Sequence, residues 1–166
     1  MVNKELKNAV IRKMKINIDT ITRASKELIG NIIRTPTIRS QHLSSEINGN
    51  VFLKLENLQY TSSFKVRGAY TSITRLKEEQ KKMGVIAMSA GNHAQAVAWW
   101  AKKERVNATI VMPEHAPLFK VMKTKSLGAD VILRGRTLNE SQTYVSELVN
   151  DKKFSLIHPY DDPNVV

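Results

Sequence analysis

The sequence predicts an α/β protein with a doubly wound, mostly parallel sheet. Three observations carry that reading: apolar runs of strand length, amphipathic stretches between them, and Gly or Pro at the joints. The pattern begins with a helix whose apolar positions Ile18, Ile21, Ala24 and Leu28 recur at helical spacing; Asp19 or Thr20 is the expected cap, and Gly30 lies just past its end. Thr35-Pro36 stops it. After the turn signal Asn48-Gly49-Asn50, Val51–Leu55 reads as a strand. Helices over Phe64–Leu76 and Glu78–Lys82 lead to Gly84, the strand Val85–Met88, and a helix from Asn92 to about Glu104. The cycle repeats with strand Ala108–Met112, breaker Pro113, helix Pro117–Leu127, Gly128 and strand Asp130–Leu133. A helix over Leu138–Val149 and a strand over Phe154–Ile157 close the series. Continuous apolar strands alternating with helices mark βαβ units buried on both faces.

Composition bounds the function. With 166 residues, 42% hydrophobic and 25% charged, the chain has the material for one domain and a fraction, and wholesale disorder is excluded. It has no cysteine, so disulfides, Cys-ligated zinc, iron–sulfur ligation and thiol catalysis are excluded within it. The net charge of +11 is dispersed over Lys4–Lys15, Arg75–Lys82, Lys102–Arg105, Lys120–Lys125 and Arg134 with Arg136. No aromatic-interleaved groove accompanies these residues, so they read as a solvated basic surface, and neither a nucleic-acid nor a membrane partner is expected. No apolar run approaches the roughly 18 residues of a spanning helix. The basic N-terminal stretch lacks a continuous apolar core and is dominated by Lys, so neither a secretory nor a transit signal is expected, and the location is read as cytoplasmic.

In doubly wound sheets ligands bind beyond the carboxyl ends of strands, which directs attention to the residues after Leu55 and after Met88. The first such segment is Thr61-Ser62-Ser63-Phe64-Lys65-Val66-Arg67-Gly68-Ala69. Ser63 is placed to cap a helix with Lys65 in its first turn, where the dipole disfavours an ammonium ion and Arg67 adds a second positive charge. A neutral amine there is a nucleophile toward an aldehyde; the alternative is one solvated lysine among many. The second segment, Ser89-Ala90-Gly91-Asn92-His93-Ala94-Gln95, is a strand-to-helix junction whose small residues leave backbone N–H groups open to an anion. A carboxylate or phosphate fits it; the alternative is a tight, capped connection. His42, His93, His115 and His158 have no helical-spacing partner, and no metal site is expected. Helical spacing assigns at least one of Trp99 and Trp100 to the core, and Asp161-Asp162-Pro163 to a turn.

Together the two segments resemble the fold type II pyridoxal-phosphate enzymes (the tryptophan synthase beta-like fold), most closely catabolic threonine dehydratases (threonine ammonia-lyases) and their serine dehydratase and serine racemase relatives. Ser63–Ala69 is similar to the family's S-F-K-x-R-G-A cofactor-lysine motif, and Ser89–Gln95 to its S-A-G-N-H-A-Q motif. Val51–Asn57, Val111-Met112-Pro113 and His158–Pro163 also resemble it, and the likeness runs from about Thr20 to the last residue. It implies that Lys65 binds pyridoxal 5'-phosphate as a Schiff base and then acts as base at the substrate Cα. It also implies that Phe64 packs beside the pyridine ring and Asn92 bonds the ring oxygen. Ser89, Gly91 and His93 would form the loop that holds the substrate carboxylate. The implied reaction is deamination of L-threonine or L-serine to 2-oxobutanoate or pyruvate and ammonia.

Two departures qualify the resemblance. Racemases of the family carry a serine acid/base where Ala90 stands, which favours elimination over racemisation; many dehydratases have Gly where Ala96 stands. In the family the chain also continues into a glycine-rich loop that cradles the cofactor phosphate and a Ser or Cys facing the pyridine nitrogen. These 166 residues hold seven glycines and no run of them. The expected division is an N-terminal segment, 1–49, contributing to a larger, incomplete domain; a smaller α/β domain, 50–155; and a return to the larger domain, 156–166. A homo-oligomer, or association with a missing C-terminal half, is expected. The alternatives are a catalytically inactive basic fragment or interaction module, and a serine racemase-like enzyme.

Overall fold

Continuous apolar stretches need cover on two sides, and the computed structural model, which describes residues 16–165, supplies it. Four strands, β3 (Val85–Met88), β4 (Ala108–Met112), β5 (Asp130–Leu133) and β6 (Ser155–Leu156), form a wholly parallel sheet in the order β5-β4-β3-β6. The helices between them are α5 (Asn92–Lys103), α6 (Leu118–Ser126) and α7 (Leu138–Lys152). Side chains alternate across each strand, so one face of the sheet presents Val85, Ala87, Ala108, Ile110 and Met112 to a core shared with α5. The other face presents Ile86 and Val111 to Val145 and Leu148 of α7. The expected fold class is what the chain adopts.

The order of strands locates the reactive edge. From β3 the chain steps outward to β4 and β5, then α7 carries it back across the sheet to lay β6 on the other side of β3, pairing Val85 with Ser155 and Ile86 with Leu156. The direction of winding therefore reverses between β3 and β6, which is where such sheets bind ligands.

Before the sheet lie α1 (Ile18–Glu27), β1 (Thr37–Arg39), α2 (Gln41–Glu46), β2 (Phe52–Lys54), a 3-10 turn at Glu56–Leu58, α3 (Lys65–Thr74) and α4 (Glu78–Met83). Three expectations are corrected here. The Val51–Leu55 run is shortened to β2 and does not enter the parallel sheet; it pairs antiparallel with β1, Thr37 opposite Lys54, as a separate ribbon. All six strand residues of that ribbon are exposed, so no buried face recruits it to the core. The cap of α1 is neither Asp19 nor Thr20 but Asn17, whose side chain accepts from the Thr20 N–H while the Thr20 hydroxyl accepts from the Asn17 N–H. The third concerns Ser63 and is described with the site. The basic stretch Lys4–Lys15 lies outside the described residues. Among the described residues, no helix is long and apolar enough to cross a membrane.

Helix α3 packs on α5 rather than on the sheet, through Val66, Ala69 and Ile73. The contact is keyed by Trp100, 3% exposed, whose indole Nε1 donates to the Val66 carbonyl at 2.8 Å. Trp100 is thus the tryptophan that the core claims; half-buried Trp99 stacks on Tyr60 with ring centroids 4.6 Å apart.

Candidate active site

Lys65 is the first residue of α3, as its sequence context suggests, but Ser63 does not cap that helix. Phe64 already has helical backbone angles and takes the cap position without any side-chain bond. Ser62, at φ 57°, turns the chain immediately before it. Ser63 is carried inward, where its hydroxyl is buried without a partner. Phe64 is left 58% exposed, with the Lys65 amine 5.2 Å from the centre of its ring.

The Lys65 Nζ donates to the carbonyl of Pro159 at 2.6 Å. Below it, Arg67 grips Glu56 of the 3-10 turn with Nε and Nη2, and Thr35 donates to the same carboxylate at 2.6 Å. The Arg67 guanidinium holds the Glu56 carboxyl below the usual carboxylate range, against the opposing pull of burial. Phe64, Lys65 and Arg67 line a cleft of about 680 Å³ whose other walls are α1 and the segment Pro159–Val165. That segment is strapped to α3: Ser72 donates to Asp162 at 3.0 Å, Arg75 to Asn164 at 2.9 Å, and Thr71 to the Asn164 carbonyl. Asp162 also accepts from the Asn164 N–H at 2.8 Å, so Asp161-Asp162-Pro163 is the structural turn its sequence indicates.

The second segment follows β3 directly. The Ser89 hydroxyl accepts from the Gly91 N–H at 3.1 Å, Gly91 caps α5 without a side chain, and Asn92 opens the helix in an exposed position. A Cβ placed on Gly91 would meet nothing within 4 Å, so the space in front of the helix end is open. The His93 imidazole points the other way. It is 3% exposed and its Nε2 lies 2.9 Å from the Ile157 carbonyl, so only its backbone N–H remains on the loop. The two segments therefore converge on one stretch of chain, Ile157–Pro159, just past β6 at the reversal of winding. Pro159 was not among the candidate residues, because its role depends on strand order, which composition and periodicity do not encode. Among the described residues, no group of three or more His, Asp or Glu could hold a metal ion.

A primary amine beside an uncapped helix end, at the switch point of a doubly wound sheet, is the constitution of an enzyme class that handles carboxylates through an aldehyde cofactor. The family model described as pyridoxal-phosphate dependent enzyme matches residues 28–166, and the chain belongs to that family. It is 50% identical over 152 residues to the catabolic L-threonine dehydratase TdcB of Staphylococcus aureus (strain USA300), a match covering 91% of this chain and 44% of that protein. Among solved structures, serine racemase from Dictyostelium discoideum superposes with a TM-score of 0.82 at 33% identity, over 90% of this chain and 49% of that one. Threonine deaminase isoform 2 from Solanum lycopersicum gives 0.79 at 35% identity, over 92% and 43%. The chain thus spans less than half the length of the relatives named here.

The residues present fit pyridoxal phosphate. The exposed Phe64 ring is a flat apolar support beside the one amine among the described residues that both lines the cleft and begins a helix. The open ground before Gly91 and the free end of α5 suit an anion.

Proposed function

We propose that this chain is the lysine-bearing part of a pyridoxal-phosphate dependent L-threonine dehydratase, which deaminates L-threonine, and L-serine, to 2-oxobutanoate or pyruvate and ammonia. The observation that carries the reading is the convergence of the Lys65 amine and the His93 imidazole, in the first turn after the loop, on Ile157–Pro159. The identity with TdcB supports the choice of reaction. The cofactor supplies an electron sink for the pair left at Cα when its proton is removed. Lys65 Nζ would hold the cofactor and would serve as the base for the Cα proton. The Phe64 ring would back the pyridine, the Asn92 amide would donate to its ring oxygen, and the loop of Ser89 and Gly91 with the His93 backbone N–H would receive the substrate carboxylate. A positive helix end facing the carboxylate would hold it in place.

Ala90 favours this reading over a racemase, to which the Dictyostelium likeness lends weight. Its methyl group holds no proton to return to the opposite face of Cα, so elimination prevails. The reading carries with it a cytoplasmic location, the division at residues 49 and 155, and completion of the site by a C-terminal half or a second copy. The test is addition of pyridoxal phosphate, borohydride reduction and peptide mapping, followed by assay of 2-oxobutanoate with a family-type C-terminal half supplied. Label concentrated on Lys65, with threonine turnover and little D-serine, is the expected result. Label spread evenly over exposed lysines such as Lys123 and Lys125 removes the reading.

A further inference from the structure

His93 is set in the first turn of α5, and its ring is turned into the interior between that helix and the end of β6. A carbonyl oxygen only accepts, so the 2.9 Å contact to Ile157 requires the proton on Nε2. The neutral ring then leaves Nδ1 as a bare acceptor, buried and without a partner among the described residues. Burial keeps the ring neutral, lowering its pKa from 6.5 to about 4; the charges of Lys65 and His158 act in the same direction, while the Ile157 bond and Asp162 oppose. One tautomer is therefore fixed, and it is the one that donates to Ile157.

Two residues beyond Ile157 stands the carbonyl that accepts from Lys65 Nζ. The link between them is short and stiff. The ring of Pro159 fixes its φ, and a residue before proline, here His158, is confined to extended backbone. His158 is held in turn, its Nδ1 accepting from the Asp161 N–H at 2.9 Å. A shift of the Ile157 carbonyl is thus passed to the Pro159 carbonyl instead of being absorbed between them.

We propose that His93 is a positioning residue for the Lys65 amine, acting through the Ile157 carbonyl and the rigid Ile157–Pro159 link to hold the carbonyl that orients Nζ. This assigns its imidazole a structural donor role beside Lys65, while its backbone N–H stays with the anion loop. The proposal rests on the reading of Lys65 as the cofactor lysine, but its test needs no cofactor and no turnover, so the two fail separately.

The test is trace acetylation of the full, cofactor-free chain with acetic anhydride, comparing Lys65 with exposed Lys123 and Lys125. Lys65 is expected to react slowest, and His93→Leu to raise its rate roughly tenfold or more relative to those lysines, as loss of a hydrogen bond to a charged group requires. His93→Gln, which retains an N–H donor, is expected to keep it slow. Equal labelling of the three lysines in the native chain, no change in the leucine variant, or glutamine behaving as leucine does would each overturn the proposal. Imidazole nitrogen shifts of the unaltered chain at pH 7 give a reading independent of any variant. A proton on Nε2 supports it, and a proton on Nδ1 refutes it.

Discussion

Arg67 and Glu56 meet along both edges, Nε to Oε2 at 2.9 Å and Nη2 to Oε1 at 2.8 Å. The pair ties the first turn of α3 to the 3-10 turn after β2, so the ribbon and the lysine-bearing helix move as one. Glu56→Gln preserves the shape but leaves a partly buried guanidinium without its counter-charge, and is expected to cost about 1–3 kcal/mol. Urea denaturation at neutral pH measures it. Because folding lowers the Glu56 pKa from 4.5, its contribution is complete above pH 4.5 and disappears as the pH falls through the folded-state value. A glutamine variant as stable as the native chain would leave the pair no role.

His93 titrates in a different window. The unfolded chain takes up its proton near pH 6.5 and the folded chain only near 4, so acid favours unfolding between those limits. Stability held in full above 6.5 is expected to fall by about 3 kcal/mol by pH 4. Lys65, His158 and Asp162 are the charged groups that bear on the ring. The check is urea midpoints at pH 7, 5.5 and 4.5 for the native chain and His93→Gln. The difference between the two curves isolates this histidine from the general repulsion of a chain of net charge +11. Parallel curves would show that the ring accepts its proton in place.

Gly68→Ala tests the strap over α3. A Cβ at that position would strike the backbone of Val165, which cannot rotate aside as a side chain would. The helix itself gains about 1 kcal/mol from alanine, so the expected outcome is a stable α3 with a lifted segment. Amide exchange at Asp162, Asn164 and Val165 should quicken while β3 and β4 stay protected. Unchanged exchange at Asn164 and Val165 would mean that the segment is not seated on this helix.

Much of the fold is legible from residue type alone, because Val85–Met88 and Ala108–Met112 are runs that only a sheet covered on both faces accommodates. The β1–β2 ribbon is only half so: Val51–Leu55 reads as a strand, but its partner does not. Thr37, Ile38 and Arg39 are all exposed, bury no apolar face, and leave no periodic trace. Ser63 shows the other kind of failure. Its residue type signals a helix cap, but the left-handed turn at Ser62 delivers the chain to Phe64 already helical, and the hydroxyl is spent in the interior. The Lys65 and Ser89–Gln95 segments are recognisable as motifs. That Pro159 joins them is not, since alternating strands and helices do not reveal on which side of β3 the last strand is laid.

The bond between Lys65 and Pro159 spans 94 positions of sequence. On a ribosome adding 5–20 residues each second, the lysine emerges roughly 5–20 s before the carbonyl that receives it. Over that interval β3, β4 and β5 can pair in order of synthesis, while β3 keeps an open edge and the amine has no acceptor. Closing so long a loop is slow by entropy alone, and it comes last. The nascent chain therefore passes through a stage in which the Lys65 amine has no carbonyl to receive it, and docking of β6, which brings Pro159 alongside, ends that stage.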